Sequence, residues 1–233
     1  MIILAHRGNV RGPERARENS LDLVEEALAL GFGLETDIRF ASRGHLITHD
    51  PAPWSPLVEF SAHAALWRRF PEAVIALNIK EPGGEASLLS ALRVERVTRQ
   101  VFLFDMELVE PRPGEMAMNL RRLDPTIRIA ARVSDRGESV ERALAIAPAS
   151  EVWLDEFDGP WSTVETVARL KAAGRRVFAV SPELHGRPLA EAELRWVQFV
   201  TWGVDGICTD WPIRLREVLA EQPCRNRAAE SGG

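Results

Sequence analysis

Acidic residues and imidazoles recur in this chain directly after short apolar runs, where a fold could gather them. His6 and Arg7 follow the run Ile2–Ala5, Glu35 and Asp37 lie inside Leu34–Ile38, and His49 and Asp50 follow Leu46–Thr48. Asn78 and Lys80 close the run Val74–Ile79, and Asp105, Asp155, Glu156 and Asp210 stand just past later runs. Glu35 and Asp37 are two apart, so in a strand both side chains point to one face while Leu34, Thr36 and Ile38 take the other. Two carboxylates converging in a low-dielectric site repel each other and need a proton or a cation between them. Oxygen-only donors suit Mg²⁺ or Ca²⁺ rather than zinc. The alternative is an edge strand carrying two solvated acids. Asn78 and Lys80 repeat the i, i+2 spacing, so Lys80 could pair with either acid or hold a phosphate as a point charge. His6 and His49, with an unperturbed pKa of ~6.5, suit general acid–base work near neutral pH.

The elements that must position these groups follow a steady rhythm. Strand-like runs occupy Ile2–Ala5, Leu34–Ile38, Val74–Ile79, Val101–Phe104, Ile127–Ala131, Val152–Leu154, Val177–Val180 and Gly206–Cys208. Helical periodicity fills the gaps: after an Asn19-Ser20 cap up to a stop at Gly31, from a Ser61 cap to Phe70, then Glu85–Glu95, Gly114–Leu123, Glu138–Ala147, Ser162–Ala173, Ala190–Val200, and a last helix after Pro212. Eight strand–helix units predict an α/β fold, a small closed (β/α)8 TIM barrel, whose active site collects at the C-terminal strand ends. An open doubly wound sheet is the other option, but nothing like G-x-G-x-x-G follows the first strand. One barrel domain over residues 1–224 is expected, with a small polar tail, disordered, over 225–233. His45 is placed in a turn at Arg43-Gly44, His63 on a helix surface, and Trp54 and Trp211 in rim loops.

With 29 Lys plus Arg against 34 Asp plus Glu, the net charge of −5 argues against nucleic acid as main partner. Two cysteines, Cys208 and Cys224, make no disulfide framework, and no apolar run approaches a membrane span. A cytoplasmic location and no stable membrane anchoring are expected. Only Lys80 and Lys171 of the 29 basic residues are Lys, so a Lys beside the acids is a modest sign that Arg does not fit there.

The ordered set Ala5-His6-Arg7-Gly8, Glu18-Asn19-Ser20, Glu35-Thr36-Asp37, His49-Asp50 and Gly203-Val204-Asp205-Gly206-Ile207-Cys208-Thr209-Asp210-Trp211-Pro212 resembles the glycerophosphodiester phosphodiesterase family. That family belongs to the phospholipase C-like phosphodiesterase barrels, and the matches run from the first strand to the eighth. The resemblance implies a metal-dependent hydrolase of a small glycerol- or sugar-linked phosphodiester. His6 and His49 would be its acid–base pair, Arg7 would contact the phosphate, and Glu35 and Asp37 would bind the divalent cation. A hydroxyl next to the phosphate can attack first in that family, giving a cyclic phosphate that water opens. Two departures stand out. The usual Glu-x-Lys at the third strand is here Leu77-Asn78-Ile79-Lys80, so the resemblance implies that the third metal ligand would be the uncharged Asn78 oxygen, or Asp105 in its place. The family's usual insertion after His-Asp is missing, since His49 to Val74 is short. The stretch Ser181–Arg187 also departs, and its Glu183 and His185, with Asp155 and Glu156, could read a polar headgroup. Two other classes remain: a barrel that binds a phosphorylated ligand without hydrolysing it, and an enzyme using Lys80 as an amine nucleophile.

Overall fold

Long apolar runs in parallel strands mark a sheet buried on both faces, and that is the sheet this chain builds. The computed structural model describes the backbone of residues 1–230 and side chains through residue 221. Its elements are β1 (Ile2–His6), α1 (Leu21–Ala29), β2 (Gly33–Ala41), β3 (Gly44–Ile47), α2 (Phe60–Trp67), β4 (Ile75–Ile79), α3 (Glu85–Val94), β5 (Val101–Phe104), α4 (Glu115–Leu123), β6 (Arg128–Val133), α5 (Val140–Ala145), β7 (Glu151–Leu154), α6 (Val164–Ala172), β8 (Arg176–Val180), α7 (Leu189–Trp202), β9 (Gly206–Thr209) and α8 (Pro212–Glu230). Eight parallel strands run in the order β1-β9-β8-β7-β6-β5-β4-β2, and β1 pairs with β2 to close the ring. The result is a small (β/α)8 barrel. β3 stands outside it, antiparallel to β2.

Strand parity divides the barrel into two apolar zones. Leu4, Ala76, Phe102, Phe104, Ala130, Trp153, Phe178, Val180 and Cys208 fill the interior, and the Phe104 and Trp153 rings lie 4.2 Å apart. The alternate residues, such as Leu34, Ile38, Leu77, Leu103 and Ile129, pack outward under the helices. The polar side chains of the site continue the inward parity above the aromatic floor: His6 after Leu4, Asn78 after Ala76, Arg132 after Ala130 and Asp155 after Trp153.

Several local expectations change. Ser42 and Arg43 form the hairpin turn, so His45 belongs to β3, opposite Phe40 and edge-on to the Phe40 and Phe60 rings. Helix α2 starts at Phe60 after Glu59, ahead of the Ser61 cap expected for it. His63 is fully buried, because it falls on the same helical stripe as Phe60 and Trp67. Ser20 does sit at the N-cap of α1, but its side chain makes no capping bond. The Gly31 stop takes φ +83°, the left-handed C′ conformation. The expected tail over 225–233 falls on residues whose side chains, and from 231 whose backbone, lie outside the described residues, as does the Cys224 side chain. Among the described residues, no helix is long and apolar enough to cross a membrane.

Candidate active site at the barrel mouth

The mouth forms a cavity of about 500 Å³ lined by His6, Arg7, Glu35, His49, Asn78, Lys80, Asp105, Asp155, Glu183 and His185 among others. Of the residues selected from sequence, Asp37, Asp50 and Glu156 do not line it; Asp37 is covered by Arg7 and Lys80, with its side chain 1% exposed. Acids and imidazoles from separate segments therefore do meet at one end of the barrel. An adjoining groove of about 840 Å³ runs between residues 15–22 and 47–58, sharing Arg7, Glu18 and His49 with the mouth.

The turn after β1 aims the first residues. Arg7 (φ +50°) and Gly8 (φ +86°) are consecutive left-handed residues, and a Cβ on Gly8 would lie 3.1 Å from the Val24 nitrogen. The Arg7 amide still pairs with β2, donating to the Glu35 carbonyl at 2.9 Å, and the chain then turns back with the Asn9 amide donating to the His6 carbonyl at 2.9 Å. His6 Nδ1 donates to Asp210 Oδ1 at 2.7 Å. A carboxylate only accepts, so Nδ1 carries the proton and Nε2 faces the cavity, 3.8 Å from Glu35 Oε2. Asn9 Nδ2 also donates to Asp210 Oδ1 at 2.7 Å and fixes that carboxylate. Burial opposes a charged His6, but the Asp210 hydrogen bond and the Glu35 charge outweigh it and raise its pKa.

The two acids of β2 differ sharply. Asp37 has Lys80 Nζ at 2.9 Å and Arg7 Nε at 3.1 Å as ion-pair partners, and Asn19 Nδ2 at 3.3 Å. Burial works against its charge, but Lys80 and then Arg7 prevail and hold its pKa below the ordinary value. Glu35 has no such cation in contact. Burial, and then the Asp37 charge, push it up to about 7, and its Oε2 is buried without a hydrogen-bond partner. In register, Asp37 pairs with Asn78 across β2 and β4. Asn78 Nδ2 donates to Asp105 Oδ2 at 3.0 Å, which leaves Asn78 Oδ1 buried and unpartnered.

Across the mouth the acids are paired. Arg132, only 3% exposed, donates to Asp105 and, at 2.6 Å, to Asp155 Oδ2. His185 Nε2 donates to Asp155 Oδ1 at 2.5 Å, and the Phe157 ring lies against the His185 ring, tilted by 45° with centroids 4.4 Å apart. Asp105 is itself left-handed, φ +64°. Burial raises its pKa against the pull of Arg132. Glu183 is held by Ser181, by Thr209 and by the Asp210 amide at 3.2 Å, so it braces the Asp210 loop. Glu156 turns away from the cavity into a buried pair with Arg195. His49 sits on an exposed loop, with Nδ1 2.9 Å from Asp50 Oδ1.

Can this set hold a hard cation? The buried, unpartnered Glu35 Oε2 and Asn78 Oδ1, next to Asp37, give an all-oxygen donor set of the right chemistry. It carries one charge less than three carboxylates would. Among the described residues, no group of three or more His, Cys, Asp or Glu is arranged as a metal site, in keeping with the Asn at the third position. Sequence reasoning missed Arg132 and the bracing roles of Asp210, Asn9 and Asn19. The signal for Arg132 was an arginine at inward parity inside the apolar run 127–131 and its continuation.

The fold is shared with solved structures. A glycerophosphodiester phosphodiesterase from Parabacteroides distasonis ATCC 8503 matches with TM-score 0.67 at 14% identity, over 95% of this chain and 98% of its own. A glycerophosphoryl diester phosphodiesterase from the same organism gives 0.67 at 18% identity, over 95% and 86%. A phosphodiesterase of Oleispira antarctica, solved with the product sn-glycerol-3-phosphate, gives 0.67 at 16% identity, over 94% and 97%. No protein-family model and no curated protein matches the sequence. The family that the sequence motifs resemble is thus the one the two Parabacteroides structures come from, and the likeness shown is one of fold over nearly the whole length.

Proposed function

We propose that this chain is a phosphodiesterase, a divergent relative of the glycerophosphodiester phosphodiesterases, hydrolysing a small glycerol- or sugar-linked phosphodiester at the barrel mouth. The observation that carries the reading is His6 fixed by Asp210, with Nε2 turned toward Glu35 in the same cavity as Arg7, Lys80 and His49. An imidazole locked in one tautomer by a carboxylate is a proton acceptor of defined direction.

Each residue then has its part in the reaction. Arg7 and Lys80 supply positive charge to the diester. His6 Nε2 takes a proton from the attacking hydroxyl. His49, on its open loop, returns one to the leaving alkoxide. Asp155, His185 and Arg132 present donors and acceptors to a polyol headgroup. Glu35, Asp37 and the Asn78 oxygen would hold Mg²⁺ or Ca²⁺, with Asp105 turning the Asn78 amide. When bound, that cation neutralises the phosphate and polarises its oxygens. Whether the proton comes from a substrate hydroxyl or from water decides between a cyclic intermediate and direct hydrolysis, and trapping the cyclic phosphate separates them.

The test is hydrolysis of a chromogenic aryl phosphodiester and of a glycerol-linked diester, with Mg²⁺ or Ca²⁺. We expect chelation to abolish turnover and His6→Ala to lower kcat about a thousandfold. Turnover that survives chelation removes the cation from the scheme. Binding of sn-glycerol-3-phosphate with no diester cleaved under either metal would make the chain a ligand-binding barrel instead.

A further inference from the structure

We propose that His63, on a helix outside the barrel, is a positioning residue for the site, holding Asp37 and Arg7 in place through the backbone of Asn19. Its kinetic readout rests on the phosphodiesterase reading above. His63 is fully buried. Its Nε2 lies 2.9 Å from the Asn19 carbonyl oxygen and its Nδ1 3.1 Å from that of Glu59. Both are acceptors, and a neutral imidazole has one N–H to give. Burial lowers the pKa of His63, which favours that neutral ring.

The proton belongs on Nε2. The Glu59 carbonyl already receives backbone N–H groups from Ala62 at 3.2 Å and His63 at 3.5 Å. Among the described residues, the Asn19 carbonyl has no donor but His63. Without that donor a buried carbonyl stands unpaired, a defect worth more than an ordinary hydrogen bond.

Asn19 is the hub between helix and site. It is left-handed, φ +61°, and every polar group it has is engaged. Its amide donates to the Arg7 carbonyl at 2.9 Å, its Oδ1 accepts from Thr36 Oγ1 at 2.6 Å, and its Nδ2 donates to Asp37 Oδ2 at 3.3 Å. Its neighbour Glu18 takes Arg7 Nη1 at 2.8 Å. The Glu18-Asn19-Ser20 motif thereby ties a phosphate-facing arginine and a buried acid to one strained residue. His63 closes this hub from the far side of β2. It lies in the first turns of α2, the helix that follows the segment carrying His49.

The experiment compares His63→Leu, His63→Gln and Leu66→Ala, the last a cavity in the same helix that leaves Asn19 untouched. We expect His63→Leu to lower kcat 10- to 100-fold, the usual effect of removing a partner that orients a site residue. It should also speed amide hydrogen exchange at Asn19 and at Thr48, whose N–H donates to the Asp37 carbonyl at 3.2 Å. His63→Gln, which keeps a donor, should recover most of both. Leu66→Ala should lower Tm yet leave kcat unchanged below its melting. A folded His63→Leu with unaltered kcat and unaltered exchange at Asn19 overturns the proposal, and so does an equal kcat loss in Leu66→Ala. If the parent chain cleaves no diester, that failure belongs to the phosphodiesterase reading, and the exchange measurement alone decides on His63.

Discussion

On the arc of the mouth built by β1, β2 and β4, Glu35 Oε2 and Asn78 Oδ1 are buried without partners and Glu35 is pushed up to about 7. On the arc from β5 to β8, Arg132 joins Asp105 to Asp155, and Asp155 also takes the His185 ring. The arcs share one floor and one cavity, so burial does not distinguish them. What differs is that Asp105 and Asp155 share one buried cation, Arg132, while Glu35 Oε2 and Asn78 Oδ1 meet no donor within the chain. Buried polar atoms are nearly always paired in folded proteins, so the first arc keeps oxygens open at a cost in stability, a sign of a place where something arrives. The second arc is already closed on itself. A charged network of that kind, with its members paired to one another, rigidifies that side of the mouth.

The largest expected break in this contrast is Arg132→Met. It leaves Asp105 and Asp155 buried without their common cation, and a loss of ~3–5 kcal/mol is expected by urea unfolding at neutral pH. Lys80→Met on the open arc should cost only ~1 kcal/mol, since Asp37 keeps Arg7 and Asn19. Equal losses would erase the distinction.

A smaller effect sharpens the closed arc by testing its exception. Burial pushes Glu107 from 4.5 up to about 7, and its Oε2 has no partner, while Oε1 accepts from the Arg132 amide at 2.9 Å. A carboxyl raised on folding holds its proton more tightly in the native state. Its stabilising contribution is therefore complete below the unfolded value and is lost as pH rises through about 7. The stability advantage of Glu107→Gln over the parent should accordingly grow by ~1–2 kcal/mol between about pH 5 and about pH 8. An advantage that shrinks over that range reverses the sign and the assignment.

The smallest concerns the open arc. Asn78→Glu restores a charge beside Asp37 but gives up the donor to Asp105. We expect Mg²⁺ or Ca²⁺ to bind about fivefold more tightly by calorimetry, a net ~1 kcal/mol. Unchanged affinity would take Asn78 out of the cation site.

The alternation at Glu35 and Asp37 is enough to predict their common face, because strand parity is a local property of the chain. The same rule, applied to Arg132 after Ala130, finds the centre of the second arc; a single arginine in an apolar run carries that signal only once the strand is placed. Residue type puts His63 on a helix surface, although its spacing from Phe60 and Trp67 sets it on the buried stripe of α2. The link from His6 to Asp210 has no local signature: it joins the first strand to the last, and only closure of the ring brings them together. Nor does spacing reveal that Lys80 chooses Asp37 over Glu35, a choice set by which acid lies one pleat higher on the neighbouring strand.

That first-to-last bond has a consequence for synthesis. The orienting carboxylate of His6 lies 204 positions downstream, so a growing chain that has already folded its opening strands holds an imidazole free to turn either nitrogen outward. On the phosphodiesterase reading proposed above, ribosome-bound fragments ending before the ninth strand should therefore be inert, and the onset of turnover would time the moment at which the cylinder seals.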